Sequence, residues 1–246
     1  MTTTLVLLSG WGIDARIWQP LAPHWPDDVV IRSPDWPGYG ERRGETLPRR
    51  LAALADRMRD GLTEDAVWVG WSLGGLLAGA LLAHLPAPRR LVLVAAGPRF
   101  CSVDGVGPAE LASFRRAFDR DPHATWHHFL RWQLQGEPAP RVAHRRLLDL
   151  LGSRPGASRQ TLATGLEHLA RLDLGEMLAT PPCPIHRLAG ENDRLLGASA
   201  RQAADRTLPG SGHCPMLSRP EALVQHLVEL AREADVGRRG QLESAP

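Results

Sequence analysis

Ser72, Asp193 and His213 are the residues whose types and order in this chain could do covalent chemistry. A serine hydroxyl is a weak nucleophile near neutrality. It needs a base beside it and a third group to orient that base. Ser72 sits in Gly70-Trp71-Ser72-Leu73-Gly74, after the apolar run Ala66-Val67-Trp68-Val69 and before Leu76 to Ala83, a stretch rich in helix formers. Strand, G-x-S-x-G, then helix is the setting of a nucleophile elbow. Without partners, Ser72 could equally cap the helix behind a tight glycine turn.

The partners come in the expected order, acid and then histidine. Asp193 ends the loop Gly190-Glu191-Asn192-Asp193, and His213 ends Pro209-Gly210-Ser211-Gly212-His213. Taken singly, Asp193 reads as a turn residue and His213 as an ordinary histidine. Taken together, they make Ser72 the nucleophile, His213 the base and then the acid, and Asp193 the carboxylate that fixes the imidazole tautomer. Asp205 is the rival acid, but it falls in a helix-to-strand connection, away from the strands' carboxyl ends. An ester's tetrahedral intermediate also needs about two preorganised N–H donors. The backbone N–H of Leu73 is one candidate and that of Trp11, between Gly10 and Gly12, the other; Trp11 reads as a core aromatic as well.

These loops must be held by strands. Leu5–Leu8, Val29–Ile31, Ala66–Val69, Leu91–Ala95, Pro184–Ala189 and a thin Arg206–Leu208 are apolar or β-rich runs, and helical patterns separate the first four. The alternation predicts an α/β fold, with a doubly wound parallel sheet of about six strands. Asp14 is placed to cap a short helix, and Asp35-Trp36-Pro37-Gly38-Tyr39-Gly40 is a loop. From residue 98 to 178 only helical stretches occur: Ala109–Phe118, Ala124–Leu134, Arg141–Leu151 and Ser158–Leu169. This segment is expected to be an all-helical lid on a core formed by 1–97 and 179–235. The last helix is expected over Pro220–Ala234, with 236–246 a disordered tail.

Composition narrows the classes. With 43% hydrophobic and 23% charged residues the chain is globular, and a net charge of +2 gives no ground for nucleic-acid binding. All basic residues are arginine, which carries no functional weight. Cys101, Cys183 and Cys214 lack metal-type spacing and read as free thiols in a reducing compartment. His123, His127 and His128 lack a carboxylate or cysteine to complete a metal set, so they read as a polar helix face. No run approaches the about 18 apolar residues of a membrane span, and the N-terminus lacks a basic leader region. A cytoplasmic monomer with no metal and no cofactor is expected.

With these residues assembled, the chain resembles the α/β-hydrolases along nearly its whole length. Asp35-Trp36-Pro37-Gly38-Tyr39-Gly40 is similar to the D-x-P-G-x-G segment of that superfamily, and the Asp193 and His213 loops are similar to its acid and histidine loops. Within the superfamily it most resembles the carboxylesterases of biotin synthesis that act on pimeloyl-acyl-carrier-protein methyl ester. The matching words are Leu7–Gly12, Gly70–Gly75, Phe129–Gly136 and Gly212–Pro220. The resemblance implies hydrolysis of that methyl ester with release of methanol. It also implies a lid whose arginines hold the acidic carrier, with Arg141 and Arg145 on two such positions and Arg146 adjacent. Two further basic positions are Ala124 and His128 here, and Ser9 stands where many relatives have histidine. The Arg141-x-x-x-Arg145-Arg146 run puts guanidinium groups on one helical face, suited to phosphate or carboxylate. It reads equally well as a solvated face.

The candidate substrate-binding residues are therefore Trp11, Trp71, Phe129, Trp132, Arg141 and Arg145, with the acyl chain under the lid. Phe129, Trp132 and Leu134 could equally be the lid's own core. Three other readings compete: a general small-ester carboxylesterase without a carrier protein, a thioesterase or lyase using the same triad, and a binding protein without turnover. Asp193 and His213 are only 20 positions apart, which is short for a helix plus a full strand.

Overall fold

A computed structural model describes residues 2–243, with side chains through Glu233. Six strands form one parallel sheet in the order β2-β1-β3-β4-β5-β6. They are β1 (Thr3–Leu8), β2 (Val29–Arg32), β3 (Val67–Trp71), β4 (Arg90–Val94), β5 (Ile185–Gly190) and β6 (Arg206–Leu208). Every residue of β3 and β4 is buried, as are Leu5 to Leu8 of β1. Strands buried on both faces read as continuous apolar runs rather than alternating ones, which is why these three stood out in the sequence. The edge strand β2 alternates between half-buried and exposed positions.

Cover for the two faces comes from helices. α1 (Leu51–Met58) and α2 (Leu73–Leu81) pack on one side, and α2 touches β1, β3 and β4. On the other side lie α10 (Pro220–Glu243) and the 3₁₀ turns Ala15–His24, which Asp14 caps by accepting from the Arg16 amide. The chain steps from β1 outward to β2 and then crosses back past β1 to β3, after which every step continues away from β2. The sheet's topological switch therefore falls between β1 and β3, where ligands of doubly wound sheets sit.

Between β4 and β5 the described residues form helices and no strand: α3 (Pro108–Arg120), α4 (Pro122–Trp132), α5 (Pro140–Leu151), α6 (Arg159–Arg171) and the short α7 (Gly175–Ala179). Proline opens α3, α4 and α5, where its missing N–H costs nothing. Asp121 and Ser158 cap α4 and α6 through their side chains. These caps set each start within two residues of the apolar spacing. After β5 come α8 (Ala198–Gln202) and, beyond β6, α9 (Pro215–Ser218). α10 runs on past Ala234 through 236–243, a stretch read from sequence as a tail. No proline interrupts it there, although Gly237 and Gly240 are poor helix formers. Residues 244–246 lie outside the described ones.

Candidate active site

The turn after β3 is strained in the way an elbow requires. Ser72 has φ 55° and ψ −124°, and only Ala95 among the other described non-glycine residues also has a positive φ. The Ser72 amide donates to the Val94 carbonyl at 2.9 Å, and α2 starts at the next residue. The flanking glycines are needed for close approach. A Cβ on Gly70 would lie 2.5 Å from Gly75 Cα, and one on Gly74 would lie 2.5 Å from the carbonyl oxygens of Leu8 and Ser9. Because backbone cannot step aside as a side chain can, Gly70→Ala is expected to cost about 3 kcal/mol of stability. Urea unfolding checks this, and a loss under about 1 kcal/mol would mean that the elbow relaxes around the methyl.

Three distant residues meet above this turn. His213 Nε2 stands 3.0 Å from Ser72 Oγ, and His213 Nδ1 stands 2.8 Å from Asp193 Oδ2. All three are buried, Asp193 completely. The other oxygen of Asp193, Oδ1, accepts from the amides of Leu195 and Leu196 at 2.8 and 3.2 Å. An aspartate acceptor at Nδ1 leaves the proton on that nitrogen and the lone pair of Nε2 toward the serine hydroxyl. The short β6 suffices to seat His213: it pairs with the end of β5, and the Asn192 amide then donates to the Ser211 carbonyl at 2.8 Å. Asp205 is occupied elsewhere, accepting from the Arg187 amide at 2.7 Å at the opposite end of β6.

The loop after β1 lies directly beside the nucleophile, since a Cβ on Gly10 would be 3.2 Å from Ser72 Cβ. Trp11, next along, is 1% exposed and edge-packed by Phe114, Phe118 and Phe129, with the Phe129 ring centroid 4.9 Å away. Its indole N–H donates to the Leu162 carbonyl at 2.8 Å, which ties the loop to α6. Trp11 is thus a core aromatic with its backbone at the site's edge.

Further contacts brace that loop, from residues whose spacing in the chain marks no such role. Trp36 Nε1 donates to the Ser9 carbonyl at 2.9 Å, and Trp126 Nε1 to the Gly12 carbonyl at 2.8 Å. The Gly12 amide donates to the Tyr39 hydroxyl at 3.4 Å, and burial pushes that phenol's pKa up. Asp35 accepts from the amides of Ala15 and Glu41 at 2.8 and 2.9 Å. The D-W-P-G-Y-G loop is the scaffold of the β1 loop.

The space beside Ser72 is small, about 10 Å³, and Ala95–Gly97, Arg99, Phe100, Leu195 and Leu196 line it with Leu76 and His213. Neither Phe129 nor Trp132 reaches it. Phe129 backs Trp11, while Trp132 leans on Phe114 and His128 beside a larger cavity of about 650 Å³ between α3 and α4. Phe129 thus supports the β1 loop, and Trp132 serves the insert's own packing. Phe100, Leu195 and Leu196 were missed because nothing in their spacing marks which loop closes over the serine. Trp71 does touch the site: its Nε1 donates to the His213 carbonyl at 2.7 Å.

Arg141 and Arg145 are exposed on α5. With Arg131 of α4 and His144 they surround a concavity of about 320 Å³ whose lining holds no carboxyl group. Burial and the nearby Arg131 lower the His144 pKa. Arg146 is used differently, donating to the Leu217 carbonyl at 3.2 Å. His123 and His127 both reach the Ser153 carbonyl, at 3.1 and 2.9 Å. The cysteines are unpaired, and burial pushes the Cys214 thiol well above its usual range. Among the described residues no helix is long and apolar enough to cross a membrane.

The profile of the alpha/beta hydrolase family matches residues 5–226. The chain belongs to the alpha/beta hydrolase family. This hydrolase is similar to the pimeloyl-[acyl-carrier protein] methyl ester esterase of Vibrio vulnificus, at 33% identity over 92% of this chain and 93% of that protein. It is also similar to the protein of the same name from Stenotrophomonas maltophilia, at 34% identity over 95% of each. Among solved structures, a bromoperoxidase from Bacillus anthracis superposes on this hydrolase with a TM-score of 0.78 at 15% identity, covering 95% of this chain and 92% of that one. An esterase from Exiguobacterium antarcticum gives 0.75 at 18%, covering 94% and 92%. At those identities the two solved structures speak for the fold alone.

Proposed function

We propose that this hydrolase is a serine carboxylesterase that cleaves the methyl ester of a pimeloyl chain carried on acyl carrier protein, with Ser72, His213 and Asp193 as its catalytic residues. The observation that carries this reading is the buried relay, Ser72 Oγ to His213 Nε2 at 3.0 Å and His213 Nδ1 to Asp193 at 2.8 Å. The substrate follows from the activity named for relatives 33% and 34% identical over more than nine-tenths of the chain.

In this mechanism Ser72 Oγ attacks the ester carbonyl while His213 Nε2 takes its proton. The oxyanion that forms lies against the backbone N–H of Leu73, at the start of α2, whose dipole favours negative charge, and that of Trp11 in the loop after β1. Collapse expels methoxide, which leaves as methanol with the proton from Nε2. Water, deprotonated by the same nitrogen, then attacks the acyl-serine and releases the free carboxylate. Asp193 stays ionised throughout and steadies the imidazolium of each transition state.

The helical insert acts as the lid, and the three arginines around the α4–α5 concavity receive the acidic carrier. Long-range attraction of this kind raises encounter rates and fades with salt. Reversing Arg141 and Arg145 together, to glutamate, is expected to lower kcat/KM on the carrier-bound ester by about 10-fold or more. Turnover of the free methyl ester should be unchanged. Equal losses on both substrates, or none on either, would favour an esterase that needs no carrier.

A further inference from the structure

The peptide unit that joins His213 to Cys214 is gripped at both ends. Its carbonyl accepts from Trp71 Nε1 at 2.7 Å, and its N–H donates to Glu137 Oε1, also at 2.7 Å. Trp71 is the residue before the proposed nucleophile. Glu137 belongs to the helical insert, in the turn that follows α4. It is 4% exposed, and its second oxygen, Oε2, is buried without a hydrogen-bond partner among the described residues. A buried carboxyl group with one oxygen left over is costly, no ion pair to it is found among the described residues, and its one bond is to the amide of Cys214, the residue just before α9.

The turn around Glu137 is wedged between the loops that carry the acid and the base. Gly136 has φ +96°, and a Cβ there would collide with the Asn192 carbonyl, one residue before Asp193. On the other side, a Cβ on Gly212 would lie 2.8 Å from Glu137 Oε1 and 3.0 Å from the Glu137 nitrogen. The buried Cys214 thiol points to the Gln133 carbonyl at 3.9 Å. One short turn of the insert therefore touches the neighbours of both Asp193 and His213.

A peptide plane fixed at both its donor and its acceptor cannot rotate, so the backbone torsion on the carboxyl side of His213 is set. The imidazole must then keep the angle that reaches Ser72 and Asp193 together, and general-base geometry tolerates only about 0.5 Å and 10–20° of error. We infer that Glu137 is a positioning residue for the reaction, holding His213 in line from the insert through the Cys214 amide, with Trp71 as its counterpart from the core. The inference rests on the reading of Ser72, His213 and Asp193 as the catalytic set.

The test is a series at position 137, read as kcat and KM on a short p-nitrophenyl ester, with active sites titrated by a fluorophosphonate so that misfolded protein is not counted. Glu137→Gln keeps an oxygen acceptor at the same reach and is expected to stay within about 3-fold of the parent in kcat. Glu137→Leu removes the acceptor, and Glu137→Asp draws it back. Both are expected to lower kcat by about 10- to 100-fold, the scale of a misplacement near 1 Å, with KM changed by less than about 3-fold. If the leucine variant does not fold, the aspartate and glutamine pair decides.

Parent-like kcat in Glu137→Asp, or a loss in Glu137→Gln as large as that in Glu137→Leu, would overturn the inference. So would variants that lose thermal stability but keep kcat per titrated site, since that is what a purely structural contact would do. Ser72→Ala measured alongside separates the two readings. Turnover surviving there removes the catalytic set itself, whereas a dead Ser72→Ala beside a fully active Glu137→Asp removes only the role of Glu137.

Discussion

Ser72→Ala is expected to lower kcat for ester hydrolysis by about 10⁶-fold, the loss seen when a nucleophile that works as one unit with its base is removed. Among the described residues the Ser72 hydroxyl makes one hydrogen bond to a side chain, with His213 Nε2 at 3.0 Å. Deleting it takes away the attacking atom and leaves the imidazole with nothing to deprotonate. Folding should be nearly untouched, because the bond that fixes the elbow, from the Ser72 amide to the Val94 carbonyl, is made by the backbone. A p-nitrophenyl ester assay beside a thermal melt tests both halves. Loss of labelling by a fluorophosphonate should accompany the loss of turnover. Turnover at even a few per cent of the parent would refute the assignment of the nucleophile.

Asp193→Asn is expected to lower kcat by about 10⁴-fold while the protein stays folded. The reason lies in how the carboxylate is surrounded. Oδ1 accepts from two amides, those of Leu195 and Leu196, and Oδ2 accepts from His213 Nδ1. Asparagine has one oxygen and one NH₂ group. Placing the NH₂ against two N–H donors would cost two bonds, so the oxygen keeps that side and the NH₂ turns to the imidazole. Nδ1 must then accept, the proton moves to Nε2, and the ring can no longer take one from Ser72. Asp193→Ala adds a second defect, since it also strips the two amides of their acceptor, at about 1–3 kcal/mol each. An asparagine variant with more than about a tenth of the parent kcat would show that the imidazole is oriented by something other than Asp193.

Much of this was legible in the chain. Buried parallel strands announce themselves as apolar runs, so β1, β3 and β4 were plain, and with them the loops that leave their carboxyl ends. The glycines at 70 and 74 answer to backbone approaching within 2.5 Å, a local demand that leaves a local trace. The pairing of Asp193 with His213 follows from chain order in this architecture, even though β6, the strand between their loops, is only three residues long. What could not be read are contacts that depend on which side of a helix faces the sheet. Glu137 sits in a Gly-Glu-Pro connection that has the composition of any turn, and only the packing of the turn after α4 on the loops of Asp193 and His213 gives its carboxyl group a partner. Likewise Phe129 and Trp132 bear the spacing of an apolar face, and that face turns to Trp11 and Phe114 rather than to the serine.

The 10 Å³ beside Ser72 holds no more than a single solvent molecule. Phe100, Leu195 and Leu196 line that space, so an ester that needs more room must part them, and its affinity is scaled down by the fraction of molecules in the parted form. Chain-length preference in this enzyme is then a matter of which acyl groups repay the opening, so that a bulky ester binding weakly reports the stiffness of these walls as much as the shape behind them.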